Sequence, residues 1–127
     1  MLKIKKYAEK VKKCKDADAI RKIKGEKILI SNSLREFMMP IIKHFKLKNY
    51  FNEIYGADDF DDKAEFIRSY LKKRKIVKNE CLYIGDRASD VKLARKAGCL
   101  SVIVTGKCAW DSRSEIIQAK PDFIVDD

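Results

Sequence analysis

Short apolar runs and longer amphipathic segments alternate along this chain. The apolar runs have the length of buried strands, and they occupy residues 27–31, 51–56, 81–85, 100–104 and 123–125. The amphipathic segments predict helices over residues 2–14, 16–24, 34–45 and 63–74, from about 90 to 97, and after Ser112. This alternation predicts an α/β fold in which helices cover both faces of a parallel sheet.

The segment 34–45 has the clearest helical pattern in the chain. Six apolar residues share one predicted face: Leu34, Phe37, Met38, Ile41, Ile42 and Phe45. Pro40 interrupts this segment, so we expect either a kink or a helix that starts at Pro40.

Length and composition indicate a single globular domain spanning residues 1–127. Apolar residues make up 46% of the chain and charged residues 38%, as in a soluble protein. No apolar run approaches the roughly 20 residues of a membrane span, and the amino terminus lacks the apolar core of a signal peptide. We therefore expect a cytoplasmic location and no membrane partner.

The net charge of +10 is concentrated near the amino terminus, where residues 1–27 hold eleven basic and four acidic residues. A basic segment can bind nucleic acid. These lysines are instead spread along a predicted helix, without an aromatic platform or a nucleic-acid motif. A solvated helix face is the favoured interpretation, and DNA or RNA binding is the weaker alternative.

The stretch CLYIGDRASDVKLARKAG, residues 81–98, carries the main candidate chemistry. Asp86 stands where a buried strand ends, and Asp90 follows as a helix begins. Ligands of open α/β sheets bind at the carboxyl ends of the strands, and paired carboxylates suit Mg²⁺, which prefers oxygen ligands. The alternative is structural, with Asp86 ending the strand and Asp90 capping the helix.

Other polar groups follow strands at the same predicted edge. Ser31 and Asn32 follow the strand 27–31, and Lys63 begins a helix. A hydroxyl and turn amides can hydrogen-bond phosphoryl oxygens, and an ammonium can neutralise charge that develops during phosphoryl transfer. Each also has a plainer interpretation, because Ser31-Asn32 is an ordinary turn sequence and Lys63 is one lysine among many.

Taken in order, these segments resemble the haloacid dehalogenase (HAD) superfamily, in its phosphatase-like branch, over about residues 16–127. ILISNS resembles the second motif, and YIGDRASDV resembles the fourth. Lys63 stands where the family carries its third-motif lysine, although Ala64 replaces the proline that often follows. The resemblance implies a Rossmann-like three-layer sandwich with a mostly parallel sheet, and hydrolysis of a phosphorylated small molecule.

The same resemblance implies a role for each candidate residue. Ser31, Asn32 and Lys63 would bind the phosphoryl group, and Asp86 and Asp90 would hold Mg²⁺. Lys63 and Asp86 would be the catalytic residues that this chain contributes.

One family motif is missing from the predicted elements. Relatives begin with a strand that ends in Asp-x-Asp, whose first aspartate is the nucleophile and whose second is the general acid/base. The triplet Asp16-Ala17-Asp18 has these letters, but four residues rich in lysine precede it instead of a buried strand, and we interpret it as a helix cap. Residues 1–15 resemble the last helix of the cap domain of many relatives, which leaves residues 16–127 as the core.

Loss of that strand, which is central in the family, would expose two interior strand edges. Either the strands 27–31 and 81–85 pair directly, or a segment from outside the chain fills the gap. A second copy, giving a homodimer, or a separately encoded amino-terminal half would serve.

Two functional hypotheses remain open. In the first, the chain is the carboxyl-terminal part of a Mg²⁺-dependent phosphohydrolase that works through an aspartyl-phosphate, with the nucleophile supplied from outside and little activity alone. In the second, it is a non-catalytic HAD-like domain that binds a phosphorylated ligand or a protein partner. Trp110 follows the strand 100–104 in a loop that could reach the site, but packing of Trp110 against the sheet is the favoured interpretation.

Overall fold

A computed structural model describes residues 17–126, with side chains from Ile20 onward. The strands are β1 (Ile28–Ile30), β2 (Glu53–Tyr55), β3 (Leu82–Gly85), β4 (Leu100–Thr105) and β5 (Phe123–Asp126). The α-helices are α1 (Arg35–His44), α2 (Lys63–Lys73), α3 (Ala88–Ala97) and α4 (Arg113–Ala119). Short 3₁₀ helices cover Ala17–Lys22, Lys48–Tyr50, Ala57–Asp59 and Lys78–Glu80.

The chain divides into two compact units, residues 1–61 and 62–127. Both contain parallel strands alternating with helices, which confirms the predicted α/β fold. The helix predicted over 2–14, and with it the proposed cap remnant at 1–15, lies outside the described residues. Of the predicted helix over 16–24, the structure shows the 3₁₀ helix Ala17–Lys22, so Asp18 lies in a helix and not at a strand end.

The first unit is built on β1, β2 and α1. The two strands are parallel, with Ile28 opposite Glu53 and Ile30 opposite Tyr55. Helix α1 begins at Arg35 and contains Pro40, so the alternative of a start at Pro40 is wrong.

The apolar face predicted for α1 is only partly buried. Met38 and Ile42 are buried, whereas Leu34 is 41% exposed and Phe37 is 49% exposed. Leu34 precedes the helix and Phe37 is its third residue, so burial on this face begins at Met38. His44, the last residue of α1, is exposed.

The second unit holds the parallel sheet β3-β4-β5, with β4 in the centre. Its core is formed by Val91, Ile103 and Ile116, with Ala119 and Ile124 packed against them. Further side chains of the helices are buried at helical spacing: Ala64, Ile67 and Leu71 on α2, and Val91, Ala94 and Ala97 on α3. Gly98 ends α3 with a φ of 87°, a conformation that favours glycine.

The two faces of this sheet differ in burial. Along β4, Ser101, Ile103 and Thr105 are buried, and the alternate residues are half-buried. In contrast, four apolar side chains of the edge strands are about half exposed: Leu82, Ile84, Phe123 and Val125. The sheet therefore presents apolar surface beyond what isolated exposed residues would give.

The strands within residues 17–126 form two hydrogen-bonded sheets, β1-β2 and β3-β4-β5. β1 pairs with β2, and β3 pairs with β4. The two alternatives for the missing central strand, direct pairing of strands 27–31 and 81–85 or filling by a segment from outside the chain, stay predictions.

None of the helices in the described part of the chain is both long enough and apolar enough to cross a membrane.

Candidate phosphate and metal site

Asp86 and Asp90 meet at the carboxyl end of β3. The Oδ2 atom of Asp90 accepts hydrogen bonds from the backbone N–H groups of Asp86 and Arg87, each at 3.1 Å. The side chain of Asp90 thus folds back across the start of α3 and accepts hydrogen bonds from the two amides just before this helix. The predicted structural role of Asp90 as a helix cap is confirmed, and the same contact places its carboxylate beside Asp86.

Gly85 makes this approach possible. A Cβ atom at residue 85 would lie 2.2 Å from Oδ2 of Asp90 and 2.5 Å from its Cγ. No side chain other than hydrogen fits there without displacing Asp90, which explains why the sequence reads Gly-Asp at this strand end.

A second loop, after β4, holds Asp86 and the start of α3 from the other side. The N–H of Trp110 donates to Oδ2 of Asp86 at 3.0 Å, and the N–H of Asp111 donates to the Asp86 carbonyl at 3.4 Å. In return, Oδ2 of Asp111 accepts from the N–H of Ala88 at 2.7 Å. We call these three hydrogen bonds the 110–111 clasp, because they join the two strand-end loops reciprocally.

The side chain of Trp110 lies at the surface. It is 71% exposed, so the prediction that it packs against the sheet is wrong. Its ring instead stacks under Arg87, with the guanidinium carbon 4.5 Å from the ring centroid. This cation–π contact ties together the same two loops as the clasp does.

Lys63 approaches this strand end from α2. Asp62 caps that helix by accepting from the N–H of Glu65 at 3.0 Å, which fixes Lys63 in the first turn. The Lys63 ammonium lies 5.4 Å from the ring centroid of Tyr83, a residue of β3. Burial lowers the pKa of Lys63, and the negative charge of Asp90 partly opposes this change. Burial, reinforced by Asp90, raises the pKa of the Tyr83 hydroxyl, which therefore stays protonated.

The carboxylates of Asp86 and Asp90 are held mainly by backbone amides. Within residues 20–126, neither carboxylate lies within salt-bridge distance of a Lys, Arg or His side chain. Lys63 interacts electrostatically with Asp90 at a longer distance than an ion pair.

This donor set fits Mg²⁺ better than it fits a transition metal. The described residues contain no cluster of three or more His, Cys, Asp or Glu side chains that could enclose a metal. Mg²⁺ is commonly bound by one or two carboxylates, with waters and substrate phosphate as its other ligands. Asp86 and Asp90 match that requirement in number and in kind.

Ser31 and Asn32 occupy the end of β1 in the first unit. The N–H of Ser31 donates to the Tyr55 carbonyl at 3.0 Å, which extends the β1–β2 pairing by one residue. The Ser31 hydroxyl oxygen accepts from the N–H of Ser33 at 3.1 Å and shapes the turn, while Asn32 is exposed. The structure thus brings Lys63, Asp86 and Asp90 together, and the grouping of Ser31 and Asn32 with them stays a prediction.

Sequence reasoning missed the contributions of Tyr83 and Asp111, and it gave an approach of the Trp110 loop to the site only as the weaker alternative. The sequence around Tyr83 indicated only that this residue lies in a strand. The contact of its ring with the Lys63 ammonium depends on where α2 packs. Asp111 did carry a weak signal, since it is acidic and lies in a loop after a parallel strand adjacent to β3.

Residues 3–104 match the family of haloacid dehalogenase-like hydrolases. This match covers most of the chain, which therefore belongs to that family. The relatives described below are named as phosphatases, which agrees with the phosphatase-like branch.

The chain is similar to phosphoglycolate phosphatases of bacteria. It is 26% identical over 102 residues to the enzyme of Vibrio cholerae, covering 78% of this chain and 44% of that protein. To the enzyme of Salmonella typhimurium it is 27% identical over 101 residues, covering 77% of this chain and 39% of the relative. The chain thus spans less than half the length of these relatives.

Solved structures agree with this assignment. A predicted phosphatase from Clostridium acetobutylicum superimposes with a TM-score of 0.73 and 27% identity, covering 89% of this chain and 55% of that one. A putative phosphatase from Clostridium difficile superimposes with a TM-score of 0.74 and 24% identity, covering 93% and 58% of the two chains. The second likeness concerns the fold alone, and it supports the Rossmann-like HAD architecture.

Proposed function

We propose that this chain is the carboxyl-terminal part of a Mg²⁺-dependent phosphohydrolase that cleaves phosphate monoesters. The observation that carries the proposal is the meeting of Lys63, Asp86 and Asp90 around the end of β3, in a chain of the haloacid dehalogenase-like hydrolase family. Paired carboxylates without a basic partner suit a divalent cation, and a nearby lysine suits a phosphoryl group.

The phosphoryl group would be bound by Ser31, Asn32 and Lys63. The Ser31 hydroxyl oxygen accepts a hydrogen bond from the Ser33 amide, and its own proton would donate to a phosphoryl oxygen. The exposed amide of Asn32 offers a further donor. The Lys63 ammonium would neutralise negative charge on the transferring group, and its partial burial strengthens that interaction.

Asp86 and Asp90 would hold the cation through carboxylate oxygens. Mg²⁺ bound there would polarise the phosphoryl oxygens and offset their charge. The 110–111 clasp keeps Asp86 oriented before any ligand arrives, and the amides of Asp86 and Arg87 keep Asp90 in place. The catalytic residues of this chain would then be Lys63 and Asp86.

The nucleophile would come from outside this chain. No strand within residues 17–126 ends in Asp-x-Asp. The first aspartate of that outside segment would attack phosphorus, the bond between phosphorus and the substrate oxygen would break, and the second aspartate would protonate the leaving oxygen; water would then hydrolyse the aspartyl-phosphate. The half-exposed apolar side chains of β3 and β5 support a covering segment, from a second copy in a homodimer or from a separately encoded amino-terminal half.

The substrate would be a phosphorylated small molecule. The names of the relatives make 2-phosphoglycolate the first compound to test. A cytoplasmic location, and a single core domain formed by both units, complete this proposal.

Complementation tests the proposed function. The chain is mixed with a peptide that carries an apolar strand ending in Asp-x-Asp, and phosphate release from 2-phosphoglycolate is measured with and without Mg²⁺. We expect turnover that needs both the peptide and Mg²⁺, and that is lost in Lys63→Gln and in Asp86→Asn. Lys73→Gln, at the far end of α2, is the matched control and should keep full turnover.

Two other outcomes would contradict hydrolysis. A rise in melting temperature with phosphate and Mg²⁺, without turnover in any mixture, would favour the non-catalytic ligand-binding domain. Neither turnover nor a thermal shift would contradict both ideas, and would assign the contacts of Asp86 and Asp90 to structure alone.

A further inference from the structure

A pair of thiols lies at the amino-terminal ends of β3 and β4. Cys81 and Cys99 each precede a strand by one residue, and the first paired residues of these strands are Leu82 and Leu100. The Sγ atoms of the two cysteines are 3.3 Å apart and share a hydrogen bond. Both cysteines are unbridged, and they lie at the opposite end of β3 from Asp86.

The backbone already has a spacing that a disulfide accepts. The N–H of Leu100 donates to the Cys81 carbonyl at 3.0 Å, so the strand pairing reaches the cysteines themselves. Neighbouring strands are about 4.8 Å apart, which lies inside the range of about 4.4–6.8 Å between the Cα atoms of disulfides. A covalent bond of about 2.05 Å requires the sulfur atoms to approach by little more than about 1 Å from their present 3.3 Å.

The two thiols differ in access and in acidity. Cys99 is 1% exposed, whereas Cys81 is half-buried, so a dissolved oxidant meets Cys81 first. The hydrogen bond from Cys99 stabilises the Cys81 thiolate and lowers the pKa of Cys81 to about 7. Because the thiolate is the nucleophilic form, Cys81 is the thiol that attacks.

We propose that Cys81 and Cys99 form a redox-sensitive dithiol, which hydrogen peroxide converts to a disulfide. The Cys81 thiolate attacks one peroxide oxygen, the O–O bond breaks, and a sulfenic acid forms while the second oxygen leaves as water. The Cys99 sulfur then attacks the sulfenic sulfur, the S–O bond breaks, and the departing oxygen takes the Cys99 proton as a second water. Two thiols lose two electrons and two protons in total, and one hydrogen peroxide is reduced to two waters.

Peptide mapping tests this modification. The protein is reduced, freed of reductant, treated with hydrogen peroxide while native, alkylated and digested with trypsin. Cleavage after Lys78, Arg87, Lys96 and Lys107 puts the cysteines in separate peptides, 79–87 for Cys81 and 97–107 for Cys99. We expect these two peptides joined, at a mass two hydrogens below their sum, and separated again by dithiothreitol.

Three controls test whether the cross-link depends on the folded arrangement of Cys81 and Cys99 or arises from unspecific oxidation of thiols. Cys108→Ser removes a cysteine outside the pair and should leave the cross-link unchanged, whereas Cys99→Ser should leave Cys81 as a sulfenic or sulfinic acid. In urea the wild-type chain should lose its preference for this cross-link, because the strands no longer hold the thiols together; this comparison needs no variant. Recovery of both peptides as alkylated thiols, of Cys81 over-oxidised alone, or of Cys81 and Cys99 joined mainly to other cysteines in native protein would overturn the proposal.

Discussion

The turns that follow β2 and β3 share one backbone arrangement, but they differ in whether a basic side chain pairs with the carboxylate of the turn. In both, a carboxylate folds back to the strand end, at Asp59 after β2 and at Asp90 after β3, and accepts backbone N–H groups there. In both, a glycine makes room, since a Cβ at Gly56 or Gly85 would meet neighbouring atoms at 2.8 Å or less.

The charge on the two turns is handled differently. Arg35 donates through Nε to Asp59 at 2.7 Å and forms an ion pair with it. That bond, with the amide of Gly56, lowers the pKa of Asp59. Asp86 and Asp90 have no such partner within residues 20–126. Backbone contacts alone therefore do not distinguish a structural carboxylate from one that could bind a metal ion. The presence of a basic partner does distinguish them.

The largest expected effect comes from filling the space beside the two glycines. Gly85→Ala should push Asp90 away from the strand end, cost about 1–3 kcal/mol of stability, and abolish Mg²⁺ binding. Gly56→Ala should cost a similar amount, because its Cβ meets the Ser33 carbonyl as well as Asp58, but should leave Mg²⁺ affinity unchanged. Urea unfolding and Mg²⁺ calorimetry on both variants check this, and equal losses of Mg²⁺ affinity would contradict it.

Substitution of Asp111 should have the next largest effect on Mg²⁺ affinity. Asp111→Ala removes the acceptor for the Ala88 amide, and hydrogen bonds of charged groups contribute about 1.5–3 kcal/mol. Because the same loop donates to the Asp86 carboxylate, its loosening should cost Asp86 part of its orientation, and we expect about a tenfold loss of Mg²⁺ affinity, equivalent to about 1.4 kcal/mol. Asp111→Asn keeps an acceptor oxygen and should restore most of that affinity.

Asp122→Ala is the matched control for Asp111. Asp122 accepts from the N–H of Ser101 at 2.8 Å, a similar contact before β5 and away from the site. Its loss should lower stability without changing Mg²⁺ affinity. If Asp122→Ala weakened Mg²⁺ binding as much as Asp111→Ala did, the clasp would have no specific role.

Lowering the pH should weaken the ion pair between Arg35 and Asp59 in the turn after β2. The pKa of Asp59 is lower in the folded chain than its ordinary value of 3.8. The unfolded chain therefore binds a proton there first as the pH falls, and Asp59 stabilises the fold above pH 3.8 but loses that contribution below it. Asp59→Asn should accordingly be most destabilised, relative to wild type, at neutral pH.

Urea unfolding of wild type and Asp59→Asn over a pH series measures this difference. The two free energies of unfolding should converge as the pH falls below 3.8. A constant difference would show that Asp59 contributes by its shape and not by its charge.

The smallest expected effect concerns Arg87 and Trp110. Their cation–π contact is exposed, so Arg87→Ala should cost only about 0.5–1 kcal/mol. Trp110 is the single tryptophan of the chain, and its fluorescence should report the loss directly. An unchanged emission spectrum would contradict the stacking.

The local elements and the carboxylate pair were predictable from the sequence, because they depend on spacing along the chain. Residues such as Val91 and Ala94 are buried where helical periodicity placed them. The contacts of Trp110 and Asp111 were not predictable, because they depend on how two loops after neighbouring strands meet. The exposure of Phe37 was also missed, since periodicity identifies an apolar face but not what covers it.

Mg²⁺ titration of wild type, Asp90→Asn and Asp59→Asn by calorimetry tests the central claim most directly. Asparagine at either position keeps an oxygen for the backbone amides and removes only the charge. We expect equal Mg²⁺ affinity in wild type and Asp59→Asn, and at least a tenfold loss, about 1.4 kcal/mol, in Asp90→Asn. Equal weakening in both variants, or no Mg²⁺ binding by the wild-type chain, would contradict it.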